Sequence, residues 1–280
     1  MILNGEYNKL TVLRETSVGF FLGDDEGNDV LLPNKYIPND LKVDDEIKVF
    51  CYQDSEDRII ATTLKPSLTR DQFTSLKVVD VNKIGAFMEW GLEKNLLVPF
   101  REQKSEMIVD HWYIVYMYLD IKTGRLAGST KLGQFYENDD IKLRVGDQVE
   151  LLATERTDLG FNVVIDDLYL GLLYESEIFQ EVKQGNRMQG FIKKIREDGK
   201  IDVSLQKQGY QNIEPNAKFI LDELQHSEGF LALNDKSSPE DIKEKLEMSK
   251  KTFKKSIGTL YRQKLIRIET EGIYLIEEKE

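Results

Sequence analysis

Lysine and arginine side chains gather in two segments of this sequence, and the chemistry open to such clusters is the binding of phosphate groups. The first cluster is Lys193, Lys194 and Arg196, beside the turn at residues 197–199. The second lies within residues 249–268, where no acidic residue occurs among seven bases: Lys250, Lys251, Lys254, Lys255, Arg262, Lys264 and Arg267. We predict that both clusters contact a nucleic-acid backbone. Two ordinary solvated faces are the alternative.

The second cluster predicts one basic face on a helix. Its first four lysines have the spacing i, i+1, i+4, i+5, which brings them to the same side of a helix in its N-terminal half. Ser249 stands where a helix N-cap is expected, and Phe253, Ile257, Leu260 and Tyr261 are spaced for burial on the opposite side. The basic face is therefore predicted to contact nucleic acid, although helices of this kind also bind protein.

The distribution of charge is more informative than the total. A formal net charge of −12 by itself argues against a nucleic-acid partner, because phosphate binding needs cations. The acids, however, cluster at turns that are separate from both basic segments: residues 24–26, 44–46, 139–140 and 166–167. An acidic chain can thus carry two basic surfaces.

Several classes of protein are excluded by composition. No apolar run approaches the ~20 residues that a membrane-spanning helix needs, and the N-terminal residues lack the pattern of a signal peptide. The single Cys51 permits no intramolecular disulfide and fits a reducing compartment. We therefore expect a cytoplasmic protein without a membrane partner.

Residues for catalysis or metal binding are scarce. His111 and His226 are the only histidines, and neither lies near a nucleophile motif, a phosphate-binding loop or a metal-ligand spacing. The acidic pairs stand on separate turns, so a carboxylate nuclease would need them to converge in space. The expectation is a protein that is not an enzyme and uses no cofactor or metal.

An internal repeat accounts for most of the chain. A short strand pattern beginning with Gly19, Gly85 or Gly160 recurs three times, and each copy continues through a turn to a second apolar run, at residues 30–33, 96–99 and 171–174. An alternating strand precedes each copy and a strand pair follows it. Five short strands per copy predict three small β-barrels of the OB type, over residues 1–66, 67–142 and 143–210.

The pattern changes from strands to helices in the last part, residues 211–280. Helical spacing at residues 217–225 is followed by the helix start Ser238-Pro239 and then by the basic helix described above. Two short apolar strands around Glu271-Gly272 close the sequence. This order predicts a winged helix, so the fold class is multidomain and mainly β with a C-terminal α/β module.

Four aromatic residues of the repeats are candidates for stacking on nucleic-acid bases: Phe21, Phe87, Phe161 and Tyr174. Each stacked base is worth ~1–3 kcal/mol. The alternative is that these rings fill the small barrel cores, and this alternative weighs most for Phe161. Trp112, Tyr116 and Tyr118 also share one face of a strand in the second copy. That face predicts either an interdomain contact or a base platform.

The repeat frame resembles the S-one RNA-binding repeat of the large ribosomal protein of that name. The third copy is the most similar, with Gly160-Phe161, then Gly171 to Ile178, then Asp198 to Leu205. Three such repeats ahead of a winged helix resemble the conserved virulence factor B (CvfB-like, YitL-like) family of bacterial proteins over essentially the whole chain. The resemblance implies a non-enzymatic RNA-binding protein that regulates gene expression.

The repeats depart from the S-one pattern at its base-stacking positions. Each copy keeps one aromatic there, Phe21, Phe87 or Tyr174, and none keeps the histidine that follows the Leu-Val of the pattern. Binding should then depend on charge and on several domains acting together. We predict single-stranded RNA as the partner. An adaptor for the ribosome, the transcription machinery or RNA-processing proteins, and a DNA-binding regulator that uses the winged helix, are the alternatives.

Overall fold

The computed structural model describes residues 1–206, 215–227 and 229–276. The chain forms two compact units, Met1–Val203 and Ser204–Glu280. The fold class is confirmed: the first unit is built from five-stranded, mainly antiparallel sheets, and the second is a helical module with a small sheet. The domain limits at 66/67 and 142/143 stay predictions, and the limit at 210/211 lies outside the described residues.

The first sheet is a closed barrel with the strand order β1-β2-β3-β5-β4. Its strands are β1 (Glu6–Thr16), β2 (Gly19–Gly23), β3 (Asp29–Pro33), β4 (Glu46–Gln53) and β5 (Ile59–Thr62). The long β1 pairs with both β2 and β4, and the parallel pair of β3 with β5 joins at Leu31 and Ile60. One residue in two points inward and fills the core, as alternation predicts.

The second sheet has the same strand sequence but remains open, with the order β10-β9-β6-β7-β8. Its strands are β6 (Phe73–Asn82), β7 (Gly85–Glu89), β8 (Leu96–Pro99), β9 (Trp112–Asp120) and β10 (Arg125–Ser129). Side chains close the seam between β8 and β10, since a Cβ on Gly128 would lie 2.9 Å from Cγ2 of Val98. The second barrel is thus closed by packing and not by a backbone ladder.

The third sheet is again a closed barrel, with the order β11-β12-β13-β15-β14. Its strands are β11 (Gln148–Thr157), β12 (Gly160–Ile165), β13 (Tyr169–Tyr174), β14 (Arg187–Ile195) and β15 (Ile201–Ser204). The parallel pair of β13 with β15 spans three residue pairs, beginning at Gly171 and Ile201. All three sheets therefore follow the predicted five-strand plan.

A glycine begins the second strand of each sheet for a steric reason. At Gly19, Gly85 and Gly160 the φ angles are 151°, 154° and 143°, a region that side chains disfavour. A Cβ on Gly19 would lie 2.1 Å from the carbonyl oxygen of Leu32, and one on Gly160 would lie 2.1 Å from that of Leu173. No larger residue fits where the neighbouring strand passes so closely.

The first and second barrels share a hydrophobic core. Phe50 and Tyr52 of β4 are buried in the same cluster as Trp90 of the second barrel, and both rings meet the indole edge-to-face. Lys94 Nζ donates to the carbonyl oxygen of Asp54 at 2.6 Å. The first two repeats are consequently packed together and not strung on a loose linker.

The second and third barrels are joined by polar contacts around one strand end. The Phe73 amide donates to Oδ1 of Asp167 at 3.1 Å, and Arg187 donates both to the Phe73 carbonyl and to Asp167. A Cβ on Gly185 would lie only 2.7 Å from Cβ of Ser75. These contacts hold the two barrels in a fixed register.

The second unit has the winged-helix order of elements. They are α1 (Pro215–His226), β16 (Phe230–Leu231), α2 (Pro239–Leu246), α3 (Lys250–Arg262), β17 (Ile266–Ile268) and β18 (Ile273–Leu275). The strand β16, which the sequence pattern did not predict, pairs with β18. Both predicted caps form: Ser238 accepts from the Asp241 amide at 3.0 Å and Ser249 from the Thr252 amide at 3.1 Å.

Candidate nucleic-acid interface

The basic hairpin of the third barrel is formed by β14 and β15, and its arginine is held by a carboxylate. Arg196 donates from Nε and Nη2 to the two carboxylate oxygens of Asp202, at 3.0 and 2.6 Å. Its Nη2 also donates to the hydroxyl of Tyr174. These hydrogen bonds, the first to Asp202, raise the pKa of Arg196. The guanidinium therefore fixes Tyr174 and Asp202 and is not a free phosphate contact.

The lysines of this hairpin differ in their surroundings. Lys193 Nζ lies 2.5 Å from Oε1 of Glu177, whose side chain is only 7% exposed. Lys194 is exposed, and the ion pairs of the part of the chain that the structure describes do not include it. Adjacent strand residues point to opposite faces, so Lys193 and Lys194 do not share one face of the strand. Among the three predicted cations Lys193, Lys194 and Arg196, Lys194 is the one that faces solvent.

Two of the aromatic candidates are covered by the protein itself. Phe161 is 5% exposed in the core of the third barrel, which argues against the stacking role predicted for it. Phe21 is half-buried, and the guanidinium carbon of Arg14 lies 4.1 Å from the centre of its ring. That arginine also pairs with Asp29 at 2.8 Å. A base could stack on Phe21 only by displacing Arg14.

Phe87 stands in a different environment, a cleft of about 440 Å³ between the first and second barrels. Ile84 and Leu97 lie beside it on the apolar side. Arg101 and Arg125, also in the lining, pair with Asp120 and Asp57. A cleft that holds an aromatic ring and guanidinium groups can stack a base and contact its phosphate.

Arg101 and Arg125 were not predicted from the sequence. Neither arginine has a basic residue directly beside it, so neither belongs to a basic run. They come to one cleft only because β10 and the turn after β8 lie on the same side of the second sheet. The position of Arg101, two residues after Pro99 at the end of a repeat strand, was the available signal.

The aromatic strand β9 mainly serves a contact between barrels. Tyr116 stacks on Phe135 with ring centres 4.0 Å apart, and Tyr118 lies 5.7 Å from the same ring. Phe73 packs against Tyr116 and enters a core that reaches the third barrel. The predicted interdomain contact therefore describes Tyr116, whereas Tyr118 stacks on a ring within residues 67–142 and Trp112 stays 63% exposed.

The helix α3 presents an exposed cationic stripe that we call the α3 stripe: Lys251, Lys254, Lys255 and Arg262. The spacing of these four residues places them along one side of the helix, and the opposite side buries Phe253, Ile257 and Leu260. The predicted burial of Tyr261 is wrong, since this residue is 57% exposed. Lys250 is half-buried at the beginning of the helix. The helix contains no acidic residue, so the stripe has no carboxylate within its own helix to neutralise it.

The position of these lysines opposes the helix dipole. The N-terminus of a helix carries partial positive charge and favours acids, by ~0.3–1 kcal/mol per charge at the surface. The helix α2 follows this rule, with Glu240 and Asp241 in its first turn. The first turn of α3 has no acid and begins with Lys250 and Lys251. Helix stability therefore does not explain the α3 stripe.

Residues 1–206, 215–227 and 229–276 contain neither a metal-binding cluster nor a helix that could span a membrane. No group of three or more His, Cys, Asp or Glu side chains in these ranges is arranged to hold a metal ion. No helix within them combines the length and the apolar character needed to span a bilayer. Burial raises the pKa of the Cys51 thiol to about 12, as expected for a small core residue.

Together the fold and the candidate site define a class of protein: a chain of OB-type barrels followed by a winged helix, with nucleic-acid-binding domains at both ends. Residues 4–64 match the family model of the S1 domain, which is the S-one repeat, and residues 218–275 match that of the CvfB-like winged helix domain. Both are nucleic-acid-binding domain families without enzymatic activity.

Curated relatives extend the similarity to most of the chain. The protein named YitL from Bacillus subtilis (strain 168) is 29% identical over 275 residues, which cover 91% of this chain and 88% of the relative. Conserved virulence factor B from Staphylococcus aureus (strain bovine RF122 / ET3-1) is 29% identical over 248 residues, covering 85% and 81%. The predicted resemblance to the conserved virulence factor B family is therefore confirmed.

A solved structure is also similar to this chain. It is a multidomain protein with nucleic acid binding domains from Streptococcus pneumoniae TIGR4, with 25% sequence identity and a TM-score of 0.45. The match covers 98% of each chain.

Proposed function

We propose that this protein binds single-stranded RNA in the cytoplasm of a bacterium and regulates gene expression by occupying that RNA. The observation that carries the proposal is the α3 stripe. Lys251, Lys254 and Lys255 are exposed on the helix that is the recognition helix of a winged helix, where N-terminal residues meet nucleic acid. The relatives cited above are bacterial proteins, which supports the proposed bacterial origin.

The energetics of α3 support a role in binding. Lysines at a helix N-terminus add to the positive potential of the helix dipole, at some cost to helix stability. The same positive potential attracts phosphate groups. A feature that opposes stability and favours anion binding is typical of a functional surface.

The first unit would add contacts of a second kind. Phe87 offers a stacking ring in the cleft that Arg101 and Arg125 also line, and Lys194 offers a further phosphate contact. Sites that are weak singly become tight when one flexible strand engages several of them. Single-stranded RNA fits this requirement better than a duplex, because unpaired bases expose their faces for stacking.

Filter binding of the intact chain tests the proposal directly. Single-stranded RNA, single-stranded DNA and duplex DNA of equal length are compared at low and physiological salt. We expect the tightest binding for single-stranded RNA, and an affinity that falls with salt at a slope of about −0.7 per phosphate contact. Binding of none of the three at low salt would overturn the proposal.

A second candidate is binding to duplex DNA, and the place of the α3 stripe on the recognition helix favours it. In that case duplex DNA outcompetes single-stranded RNA in the same experiment. Substituting Phe87 by Leu would then leave the affinity unchanged, because a duplex offers no unpaired base to stack on this ring.

A protein partner, such as the ribosome or the transcription machinery, is favoured by one further feature. Ile108, Val109 and Trp112 are 54%, 41% and 63% exposed and lie close together in sequence before and within β9. A complex with such a partner that survives ribonuclease treatment would support this candidate.

A further inference from the structure

A second cleft, of about 780 Å³, lies between the second and third barrels. None of the residues that the sequence singled out for nucleic-acid binding lines it. Its volume lies within the range of about 300–1,000 Å³ that is typical of sites for organic ligands. We call it the 2/3 cleft and define it by Lys104, Lys131 and Arg156, with Tyr113, Tyr136 and Asn162.

The charge of the 2/3 cleft is opposite to that of the whole chain. Lys104, Lys131 and Arg156 line it together with one acid, Glu155. The chain as a whole has a formal net charge of −12. Three cations around one concave surface raise the local concentration of anionic ligands.

The ion pairs that these cations form in the described part of the chain are exposed. Lys104 pairs with Glu155 at 3.1 Å, and both side chains are more than 60% exposed. Arg156 pairs with Glu175 at 3.2 Å, also at the surface. Exposed pairs of this kind are worth about 0–1 kcal/mol, so a phosphate group can replace the carboxylate. Lys131 donates to the carbonyl oxygen of Arg101 at 2.6 Å, which leaves its other hydrogens available.

The walls of the 2/3 cleft carry groups that suit a nucleobase. Tyr113 and Tyr136 are half-buried rings in the lining, and burial raises the pKa of Tyr136 to about 12, so its phenol stays neutral and does not repel phosphate. Asn162 contributes an amide that can both donate and accept. The backbone carbonyl oxygen of Asn162 accepts from the hydroxyl of Thr154 at 2.9 Å, which holds the backbone of this residue in place.

The 2/3 cleft is also preformed. Arg187 donates to Asp167 at 2.9 Å and to the Phe73 carbonyl, and the Phe73 amide donates to the same Asp167. These bonds join the two barrels whose side chains form the walls. A site fixed in this way loses less entropy when a ligand binds.

We infer that the 2/3 cleft binds a short segment of single-stranded RNA, about one or two nucleotides long. Lys104, Lys131 and Arg156 contact its phosphates, while Tyr113, Tyr136 and Asn162 contact its bases. The inference rests on the proposed function and assigns to it a binding site apart from the α3 stripe. A polymer fits better than a free anion, because the lining combines three cations with two aromatic rings.

Substitution of the three cations tests the inference in the full chain. The variant combines Lys104→Gln, Lys131→Gln and Arg156→Gln. Its matched control combines Lys9→Gln, Lys142→Gln and Lys183→Gln, three lysines outside the cleft that also form exposed ion pairs. Affinity for a fluorescein-labelled single-stranded RNA is measured by anisotropy at two salt concentrations.

We expect the cleft variant to bind at least about tenfold more weakly than the control, with a salt slope reduced by about 2, since up to three phosphate contacts are lost. Equal affinities of the cleft variant and the control would overturn the inference and leave the proposed function standing. Failure of the wild-type chain to bind RNA would overturn both.

A steric variant separates occupation of the cleft from its charge. Gly133 lies in the lining, and a Cβ there would meet no atom within 4 Å, so Gly133→Trp adds bulk without a backbone clash. Gly133→Ala is its control. We expect weaker RNA binding for the tryptophan variant alone. RNA that contains 4-thiouridine should also crosslink to the peptide of Tyr113 or Tyr136, and crosslinks found solely elsewhere would count against the inference.

Discussion

The hairpin of the third barrel and the α3 stripe are equally basic in sequence, yet their cations have different surroundings. In the hairpin, Lys193 and Arg196 are held by Glu177 and Asp202, two carboxylates that are 5% and 7% exposed. In α3 the lysines lie on an exposed helix side whose own helix contains no acid. The hairpin uses its charges to stabilise a barrel edge, whereas α3 presents them to solvent.

This contrast teaches that a basic run does not by itself identify a binding surface. The cations of the hairpin are paired with acids that stand 6 and 16 residues away along the chain. A strand pair brings such distant acids to the same edge. A helix with cations at i, i+3 and i+4 and no acid has no comparable means of pairing them internally.

The largest effect is expected for removal of the α3 stripe. The variant Lys251→Gln, Lys254→Gln, Lys255→Gln should bind single-stranded RNA on the order of 100-fold more weakly at physiological salt, because three phosphate contacts are lost. The matched control neutralises three exposed lysines elsewhere in the second unit: Lys236, Lys243 and Lys245. Anisotropy measures both. Equal losses in the two variants would mean that overall charge, and not the α3 stripe, governs binding.

Substitution of Lys193 in the hairpin should affect the stability of the protein and not its RNA binding. Lys193→Met removes an ammonium partner of the buried Glu177 carboxylate, and we expect the free energy of unfolding to fall by roughly 1–3 kcal/mol. Lys194→Met, at the exposed neighbouring position, should change it by less than about 0.5 kcal/mol. Urea unfolding followed by tryptophan fluorescence measures both values. A large loss of RNA affinity in a folded Lys193→Met variant would show that Lys193 binds RNA and does not only stabilise the barrel.

A third prediction concerns the opposition between stability and binding within α3. Lys251→Glu places an acid at the positive end of the helix and should raise the free energy of unfolding by about 0.3–1 kcal/mol, while it weakens RNA binding. Arg262→Glu, at the opposite end, should lower the free energy of unfolding by a similar amount and also weaken binding. Thermal unfolding followed by circular dichroism measures whether each variant is more or less stable than the wild type. Destabilisation by Lys251→Glu would show that this lysine supports the fold.

The smallest effect is expected for Lys194, the exposed lysine among the three predicted cations of the hairpin. Lys194→Gln removes a single phosphate contact and should reduce RNA affinity by about two- to threefold, with unchanged stability. Lys200→Gln, which lies in the same hairpin and pairs with Asp198 at 2.7 Å, provides the comparison. A tenfold loss of RNA affinity for Lys194→Gln would show that the third barrel contributes to RNA binding as strongly as α3 does.

Local sequence signals predicted most of the fold because each has a local physical cause. Gly19, Gly85 and Gly160 mark sites where a neighbouring strand leaves no room for a Cβ. Ser238 and Ser249 mark helix starts where amides need an acceptor. The strand β16 was missed since two residues are too few to show an alternating pattern.

The candidate site was less predictable, since it depends on contacts between distant residues. Phe161 and Phe87 occupy neighbouring positions in equivalent strands, yet one is buried in a core and the other lines a cleft. Strand alternation alone separates them: Phe161 follows its glycine directly, whereas Phe87 lies two residues beyond Gly85. The walls of the first cleft come from the first and second barrels, and those of the 2/3 cleft come from the second and third, so no single segment reveals either cleft.

The sequence by itself determined the three five-strand repeats, the winged helix and the basic face of α3, because alternation, helical spacing and capping act between residues close along the chain. The tertiary structure alone decided which cations are neutralised, which rings are covered and where the barrels leave open clefts. Those outcomes depend on carboxylates and walls supplied from remote parts of the chain, which meet only when the barrels have packed together.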